Sequence, residues 1–408
     1  MLIRFEVANF RSILDPVELS LVAVDRDRPE ARPQPNLNES LLPVAAIFGP
    51  NASGKSNVIA ALDWLITAVG SSLRYWDETI PVEPCAFDDA TGQPSEFVVE
   101  SIIGGVRFAY VVTLDREKIH YEALFHYPER KRRRIFEREG EVLKFQRGLG
   151  ALSGTRELLT PRTLVLSIAR RFDEPLIRDF VLQLTRTTTL GLGRRHPKAG
   201  RMLEGFLHPS AQMKLDLGPD LDDTPDPSRD QVLALLRMAD LGIDDVEFVT
   251  GPHGRRIRLV HRSIDQRIPF ELEDESQGTR TWLRLIGPVL NALGKGTVLL
   301  FDELDASLHP TLSAQLIRLF QDPTTNPRNA QLIFTSHDTS LLNHLNRDEV
   351  WLTEKTEKGT TRLGALAEFA GERVRKSQNL ENAYLHGRFG ALPDVDRTEV
   401  LRALGLIG

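Results

Sequence analysis

Gly49-Pro50-Asn51-Ala52-Ser53-Gly54-Lys55-Ser56 is a complete phosphate-binding loop, and the apolar run Leu42 to Phe48 ahead of it reads as a buried strand. In such a loop backbone N–H groups face phosphate oxygens, Lys55 reaches the terminal phosphates and Ser56 can ligate Mg²⁺. A helix is expected to begin at Ser56, because Val58, Ile59, Leu62, Leu65, Ile66 and Val69 recur at helical spacing. The positive end of its dipole would then point at the phosphates.

A phosphate site that uses magnesium needs acids opposite its loop. Thr297-Val298-Leu299-Leu300-Phe301-Asp302-Glu303 supplies them as an apolar strand ending in two carboxylates. Asp302 can hold the metal shell, and Glu303, one residue further on, can orient and polarise an attacking water. Without the loop, an Asp-Glu pair after a strand would read as a solvated strand end. Leu304 to Pro310 then forms a turn into the next helix, and the strand Gln331 to Ser336 delivers His337 and Asp338. His337 can reach a γ-phosphate, although taken alone it reads as a surface or capping residue. His309 reads as structural. Glu275-Ser276-Gln277-Gly278-Thr279-Arg280 precedes a helix with Trp282, Leu285, Ile286, Val289, Leu290 and Leu293 on one stripe. Ser276 and Gly278 there suit a phosphate, or simply cap the helix.

With 408 residues, 41% of them hydrophobic, the chain has enough apolar content for two or three units. A formal charge of -6 argues against a wholesale polyanion-binding surface, although Arg130 to Arg134 and Arg194-Arg195-His196-Pro197-Lys198 are local basic stretches. The lone cysteine, Cys85, excludes an internal disulfide framework and a cysteine-based zinc site, as expected in a reducing cytoplasm. No run of eighteen apolar residues and no secretory signal is visible. A cytoplasmic location, away from membranes, is the expectation.

Along the chain, Ile3, Phe5 and Val7, then Val17, Leu19 and Leu21, alternate as two paired strands, and 25–40 read as an exposed loop. Glu96 to Ile103, Val106 to Leu114 and Lys118 to Phe125 form an antiparallel meander with a hairpin at Gly104-Gly105. Residues 149–242 read as an inserted helical arm, with helices over 162–184 and 228–241 around a polar stretch containing Asp220, Asp222, Asp223 and Asp226. No heptad repeat persists, so the arm is not a long coiled coil. Strands are expected over 245–250, 256–261 and 268–272, and closing strands over 349–355 and 361–366 before a last helix within 372–388. Asp348, Glu349 and Glu354 read as exposed strand-end charges.

The ordered set of Gly49 to Ser56, Ser276-Gln277-Gly278, Asp302-Glu303, Asp305 and His337 resembles the ABC-type ATPase heads of the structural-maintenance, Rad-fifty and RecF group. It looks most like the compact AAA-fifteen and AAA-twenty-one ATPases of bacterial defence systems, of RloA, AbiL and PARIS type. The opening stretch Ile3 to Ser12 and the late stretch Asn382 to Gly390 are similar to that group's ends. The resemblance implies an α/β fold, an ABC-type ATPase head in which a P-loop core and an antiparallel β subdomain carry an inserted mainly helical arm. Residues 1–148 would be the N-terminal lobe and 243–408 the C-terminal lobe.

It further implies two heads sandwiching two ATP molecules, each held by one chain's loop and by Ser276 and Gly278 of the other. Asn51, Ser53, Gly54, Lys55, Ser56 and Asn57 would contact nucleotide, Ser56 and Asp302 would hold Mg²⁺, and Asp305 would lie at the dimer seam. Glu303 would serve the water and His337 the γ-phosphate. The glutamine that usually links magnesium to the lobe has no visible counterpart. Roughly seventy residues follow His337, too few for the nuclease domain of overcoming-lysogenisation relatives, so any effector nuclease is expected to be a separate polypeptide. The implied function is an ATP-hydrolysing, dimerising sensor or regulatory subunit of an anti-phage system. The alternative is a DNA-binding repair ATPase that uses the basic stretches as phosphate contacts. A transporter ATPase subunit is disfavoured by the arm.

Overall fold

The computed structural model describes residues 1–87, 90–172, 174–192, 229–240, 242–251, 254–263, 266–370 and 380–386. The basic stretch 194–198, the acidic stretch 220–226 and the flank 387–390 lie outside them.

Alternation at the amino terminus produces β1 (Leu2–Ala8) and β2 (Val17–Ser20), which pair antiparallel. A small hairpin follows, β3 (Arg32–Gln34) with β4 (Glu39–Leu41). Then come β5 (Val44–Phe48), the phosphate loop and α1 (Lys55–Tyr75), one residue earlier than the expected start. The meander is β6 (Ser95–Ile103), β7 (Val106–Leu114) and β8 (Ile119–Tyr127), extended by β9 (Arg133–Glu139) and β10 (Val142–Phe145). With β1 and β2 these make a seven-stranded sheet in the order β10-β9-β8-β7-β6-β1-β2.

Two short helices, α2 (Val165–Ala169) and α3 (Pro175–Thr185), precede β11 (Thr188–Leu190). After α4 (Arg229–Ala239) a three-stranded sheet forms from β12 (Ile243–Gly251), β13 (Gly254–Arg262) and β14 (Arg267–Glu271). The rest alternates: α5 (Gln277–Lys295), β15 (Val298–Phe301), α6 (Leu304–Ser307), α7 (Pro310–Gln321), β16 (Gln331–Thr335), β17 (Val350–Lys355) and β18 (Thr361–Ala365). The second sheet runs β11-β15-β16-β5-β17-β18, parallel from β11 to β17 and antiparallel only at β18.

Strand periodicity divides the core across this second sheet. Ala45 and Ile47 of β5, with Leu300 and Ile333, face a cluster containing α1 and the seven-stranded sheet. Val44, Ala46 and Phe48, with Leu299, Phe301, Leu332 and Phe334, face a second cluster built on α4, α5 and α7. A parallel sheet covered on both faces needs near-continuous apolar strands, which explains why β5, β15 and β16 read as unbroken hydrophobic runs. By length and composition α1 is apolar enough to cross a membrane, at mean hydropathy 1.3. Its stripe Val58, Ile59, Leu62, Leu65 and Val69 is instead buried in the first cluster.

The stretch expected to open the arm contains core-packed elements. Helices α2 and α3 pack on α1, and β11 joins the second sheet beside β15. Their helical periodicity is that of core-facing elements: Val165, Leu166, Ile168, Ile177 and Phe180 are all buried. Residues 25–40 are likewise no exposed loop. They contain the β3-β4 hairpin, and Arg28 and Arg32 bury their side chains. Asp348 and Glu349, expected at the surface, are 3% and 0% exposed. Arg28 Nη2 pairs with Asp348 Oδ1 at 2.7 Å, and the backbone N–H groups of Val24 and Asp25 donate to its Oδ2. Glu349 accepts from Asn346 and from Gln321 Nε2. Partners distant in sequence thus make burial of these acids tolerable.

Candidate phosphate site at the sheet edge

The carboxyl ends of β5, β15 and β16 meet at one edge of the second sheet. That follows from their parallel register, Phe301 opposite Phe334 and Thr335 opposite Ile47. The loop leaves β5 there and enters α1 through Gly54, whose φ of 99° is left-handed. A side chain at that position would also collide with Thr361 of β18. The helix has no side-chain cap; the Asn57 N–H returns to the Gly54 carbonyl at 3.0 Å, which leaves the N–H groups of the opening residues Lys55 and Ser56 for an anion at the loop.

The loop is braced from behind. Ser53 Oγ lies 2.9 Å from the Pro50 carbonyl and 2.6 Å from Thr353 Oγ1 of β17. Thr361 Oγ1 donates to the Ser53 carbonyl at 2.9 Å and lies 2.7 Å from Ser12 Oγ, which in turn accepts from Asn57 Nδ2 at 2.6 Å. Ser12, Thr353 and Thr361 thereby fix the loop, and none was picked out as a site residue by its position in the sequence. Ser12 sits in the opening stretch Ile3 to Ser12; the two threonines come from closing strands some three hundred residues on, where no local pattern marks them.

Lys55 is 5% exposed and donates to the carbonyls of Gly49 (2.8 Å) and Pro50 (2.9 Å). Burial pulls its pKa down to about 8, against the opposing pull of Asp305, Asp302 and Glu303. Its Nζ is 3.4 Å from His337 Nδ1. An ammonium only donates, so in this contact Nδ1 stands on the acceptor side. The His337 N–H donates to Asp305 Oδ1 at 3.1 Å. Lys55 thus meets one imidazole and the pull of three carboxylates at the loop.

Asp302 is 6% exposed and takes a hydrogen bond from Thr335 Oγ1 at 2.7 Å. Its own N–H donates to the Leu190 carbonyl at 2.9 Å. Gly191, at φ 92°, presses so closely on the Asp302 carbonyl that no Cβ would fit. Strand β11 thus shapes the acid turn from the side opposite Thr335; it was missed because three residues carry too little periodicity to read as a strand. Glu303 is exposed and holds a left-handed backbone at φ 56° and ψ 59°, a rare state for a residue with a side chain.

Ser56 is half-buried, and with Asp302 it offers hard oxygen donors of the kind Mg²⁺ prefers. Among the described residues no group of three or more His, Cys, Asp or Glu side chains is placed to hold a metal alone. A two-ligand set completed by phosphate oxygens fits magnesium well. Asn51 is exposed at the loop tip. Ser276 caps α5, its Oγ accepting from the Thr279 N–H at 3.1 Å, and Ser276 and Gly278 are both exposed. Among the described residues no hydrogen bond joins either to the loop. His309 caps α7 by accepting from the Thr311 N–H, as a structural residue would. Cys85 is fully buried.

A phosphate loop on an inner strand of a parallel sheet, acids one strand beyond its neighbour and an antiparallel lobe on the amino-terminal side define a P-loop nucleotide-binding core. The chain belongs to the AAA_21 family, described as "AAA domain, putative AbiEii toxin, Type IV TA system", whose profile matches residues 44–343. No curated protein matches it. Among solved structures it is similar to the SMC head domain from Thermotoga maritima, at 12% identity and TM-score 0.44, over 89% of this chain and 98% of that one. It is similar also to an SmcHead bound to the C-winged helix domain of ScpA (12%, TM-score 0.45, 89% and 97%). A third is an Smc head domain with an extended coiled coil bound to the C-terminal domain of ScpA derived from Pyrococcus furiosus (13%, TM-score 0.41, 90% and 97%).

Proposed function

We propose that the chain binds and hydrolyses ATP, and that it does so as a nucleotide-dependent dimer or larger homo-oligomer. The observation that carries this reading is the convergence of Lys55, Asp302, Glu303, Asp305 and His337 on one loop. Asn51, Ser53, Gly54, Lys55 and Asn57 bind or shape the nucleotide site, and Ser56 with Asp302 would hold Mg²⁺. Bound there, the metal supplies charge neutralisation for the phosphates. Glu303, exposed on its strained turn, orients the attacking water, and His337 reaches the γ-phosphate. Ser276 and Gly278 stand at an exposed helix end, with no hydrogen bond to their own loop among the described residues. That supports their serving the loop of a second copy, with Asp305 at the seam. The test is complementation: Lys55→Ala and Ser276→Arg chains are each inactive, and their mixture regains turnover because one intact composite site forms. A mixture that stays silent while both variants remain folded removes the shared site.

The resemblance of the ordered motifs supports a regulatory role in bacterial anti-phage defence, controlling a separate effector nuclease. Binding of a neighbouring gene product, gained or lost with ATP, is the measurement that decides it. A second reading, a repair ATPase that clamps DNA, is favoured by the turn between β8 and β9. There Arg130 to Arg134 are all exposed, and Arg132 lies 3.7 Å over the Phe125 ring. Salt-dependent duplex binding by the purified chain, with no partner present, would favour this second reading.

A further inference from the structure

We infer that Thr335 is a positioning residue of the phosphate site, whose single hydroxyl sets both acids of the Asp302-Glu303 turn. Its Oγ1 donates to Asp302 Oδ1 at 2.7 Å and accepts from the Glu303 N–H at 2.7 Å. A hydroxyl can do both at once, whereas an apolar side chain of the same shape can do neither. The first bond turns one oxygen of Asp302 back toward the protein and fixes the plane of the carboxylate. The second holds the peptide of Glu303, whose left-handed backbone decides where its exposed carboxylate points.

The bracket is rigid because Thr335 is. Its residue is fully buried at the end of β16, paired with Ile47 of the loop-bearing strand, and the next N–H, that of Ser336, donates to the Ile47 carbonyl at 3.1 Å. A branched side chain in a strand has few rotamers to choose from. Thr335 therefore ties the acid turn to the strand that carries the phosphate loop. His337, two residues on, adds the bond from its N–H to Asp305. Three hydrogen bonds from one strand end thus span the turn from Asp302 to Asp305.

The inference rests on the ATPase reading, and the experiment separates the two. Thr335→Val keeps the shape and removes the hydroxyl; Thr335→Ser restores it with a freer rotor. In Thr335→Val, kcat falls about 10- to 100-fold, as for other groups that orient a ligand-binding carboxylate. Nucleotide affinity stays within about threefold, because the loop contacts are untouched. Thr335→Ser recovers most of the loss. Combined with Glu303→Gln, Thr335→Val costs less than the product of the two single effects, because the part it exerts through Glu303 is already lost and only the part exerted through Asp302 remains. A readout independent of turnover is amide exchange over the 300–306 segment. Protection of the Glu303 N–H is lost in the valine variant and kept in the serine variant. A wild type that binds but never hydrolyses ATP overturns the ATPase reading and this inference with it. A hydrolysing wild type whose Thr335→Val variant turns over normally, or whose valine and serine variants fall equally, overturns this inference alone.

Discussion

The sequence holds two Asp-Glu pairs beside strands of the same sheet, and the fold gives them opposite fates. Asp302-Glu303 follows β15 at the edge where the phosphate loop emerges; Asp348-Glu349 precedes β17 at the other end. At the loop end Asp302 keeps an edge toward the site and Glu303 is exposed. At the far end both acids are sealed behind Arg28, Asn346 and Gln321. Even the cations differ: Lys55 stands among backbone carbonyls and His337, whereas Arg28 is committed to Asp348. In a parallel sheet, side chains at the carboxyl edge border an open crevice and those at the amino edge are roofed by returning chain. Identical dipeptides are thus chemistry at one edge and structure at the other.

Glutamine in place of each glutamate makes the sharpest break. Glu303→Gln should bind ATP, accumulate the closed dimer and lose hydrolysis by orders of magnitude, because the water loses its polarising carboxylate. Glu349→Gln should leave turnover within about twofold of wild type. Steady-state phosphate release measures both, and full turnover in Glu303→Gln would sink its assignment.

The next effect belongs to the sealed end. Arg28→Ala leaves Asp348 buried without its cation, and breaking a buried pair costs about 3–5 kcal/mol. Urea unfolding should register that loss, while ATP affinity per folded molecule stays unchanged. Arg28 Nε and Nη1 have no hydrogen-bond partner among the described residues, Glu30 Oε2 standing 3.9 Å from Nε, so the upper part of that range would mean that the Nη2 bond to Asp348 carries most of the junction.

These contrasts also explain what could be read in advance. The loop, the acid pair and His337 are legible because each is a contiguous run attached to an apolar strand, and a short window contains all its chemistry. Thr335 escaped notice although it lies two residues from His337, since a threonine in a strand is ordinary until its partners are known. Gly191, Thr353 and Thr361 act through residues one hundred to three hundred positions away, beyond any local period. Asp348 and Glu349 were misread for the same reason. Charge next to a strand is exposed by default, and it is reversed here by Arg28, Val24 and Asp25 at Asp348, folded back from a stretch that resembled a loop, and by Gln321 and Asn346 at Glu349.

Glu349 offers a smaller and directional test. Burial, partly countered by Asn346 and Arg28, pushes its pKa from the ordinary 4.5 up to about 7. A carboxyl that binds its proton more tightly when folded carries no penalty below 4.5. Stability is lost as pH climbs from 4.5 to 7, and the full penalty applies above. That shift corresponds to roughly 3 kcal/mol at most. Glu349→Gln should therefore match wild type near pH 5 and exceed it in melting temperature at pH 8. Equal curves at both pH values would mean that the carboxylate is relieved by partners beyond those seen.

The smallest effect compares the two cations. Arg28 stays charged at any working pH, whereas Lys55, at about 8, is half neutral at pH 8. A phosphate beside Lys55 favours its charged form and raises its pKa on binding. ATP binding at pH 8 should therefore take up about half a proton, falling toward none at pH 6, where Lys55 is already charged in the free chain. Affinity should weaken by only about twofold between pH 7 and 8, too little to be decisive alone. Proton uptake is decisive, because titration calorimetry in buffers of different ionisation enthalpy reads it directly. Lys55→Arg should abolish the uptake even if some binding survives, since a guanidinium has no proton to regain. Undiminished uptake in that variant would assign the proton to another group and leave Lys55 charged throughout, making the two ends of the sheet electrostatically more alike than their surroundings suggest.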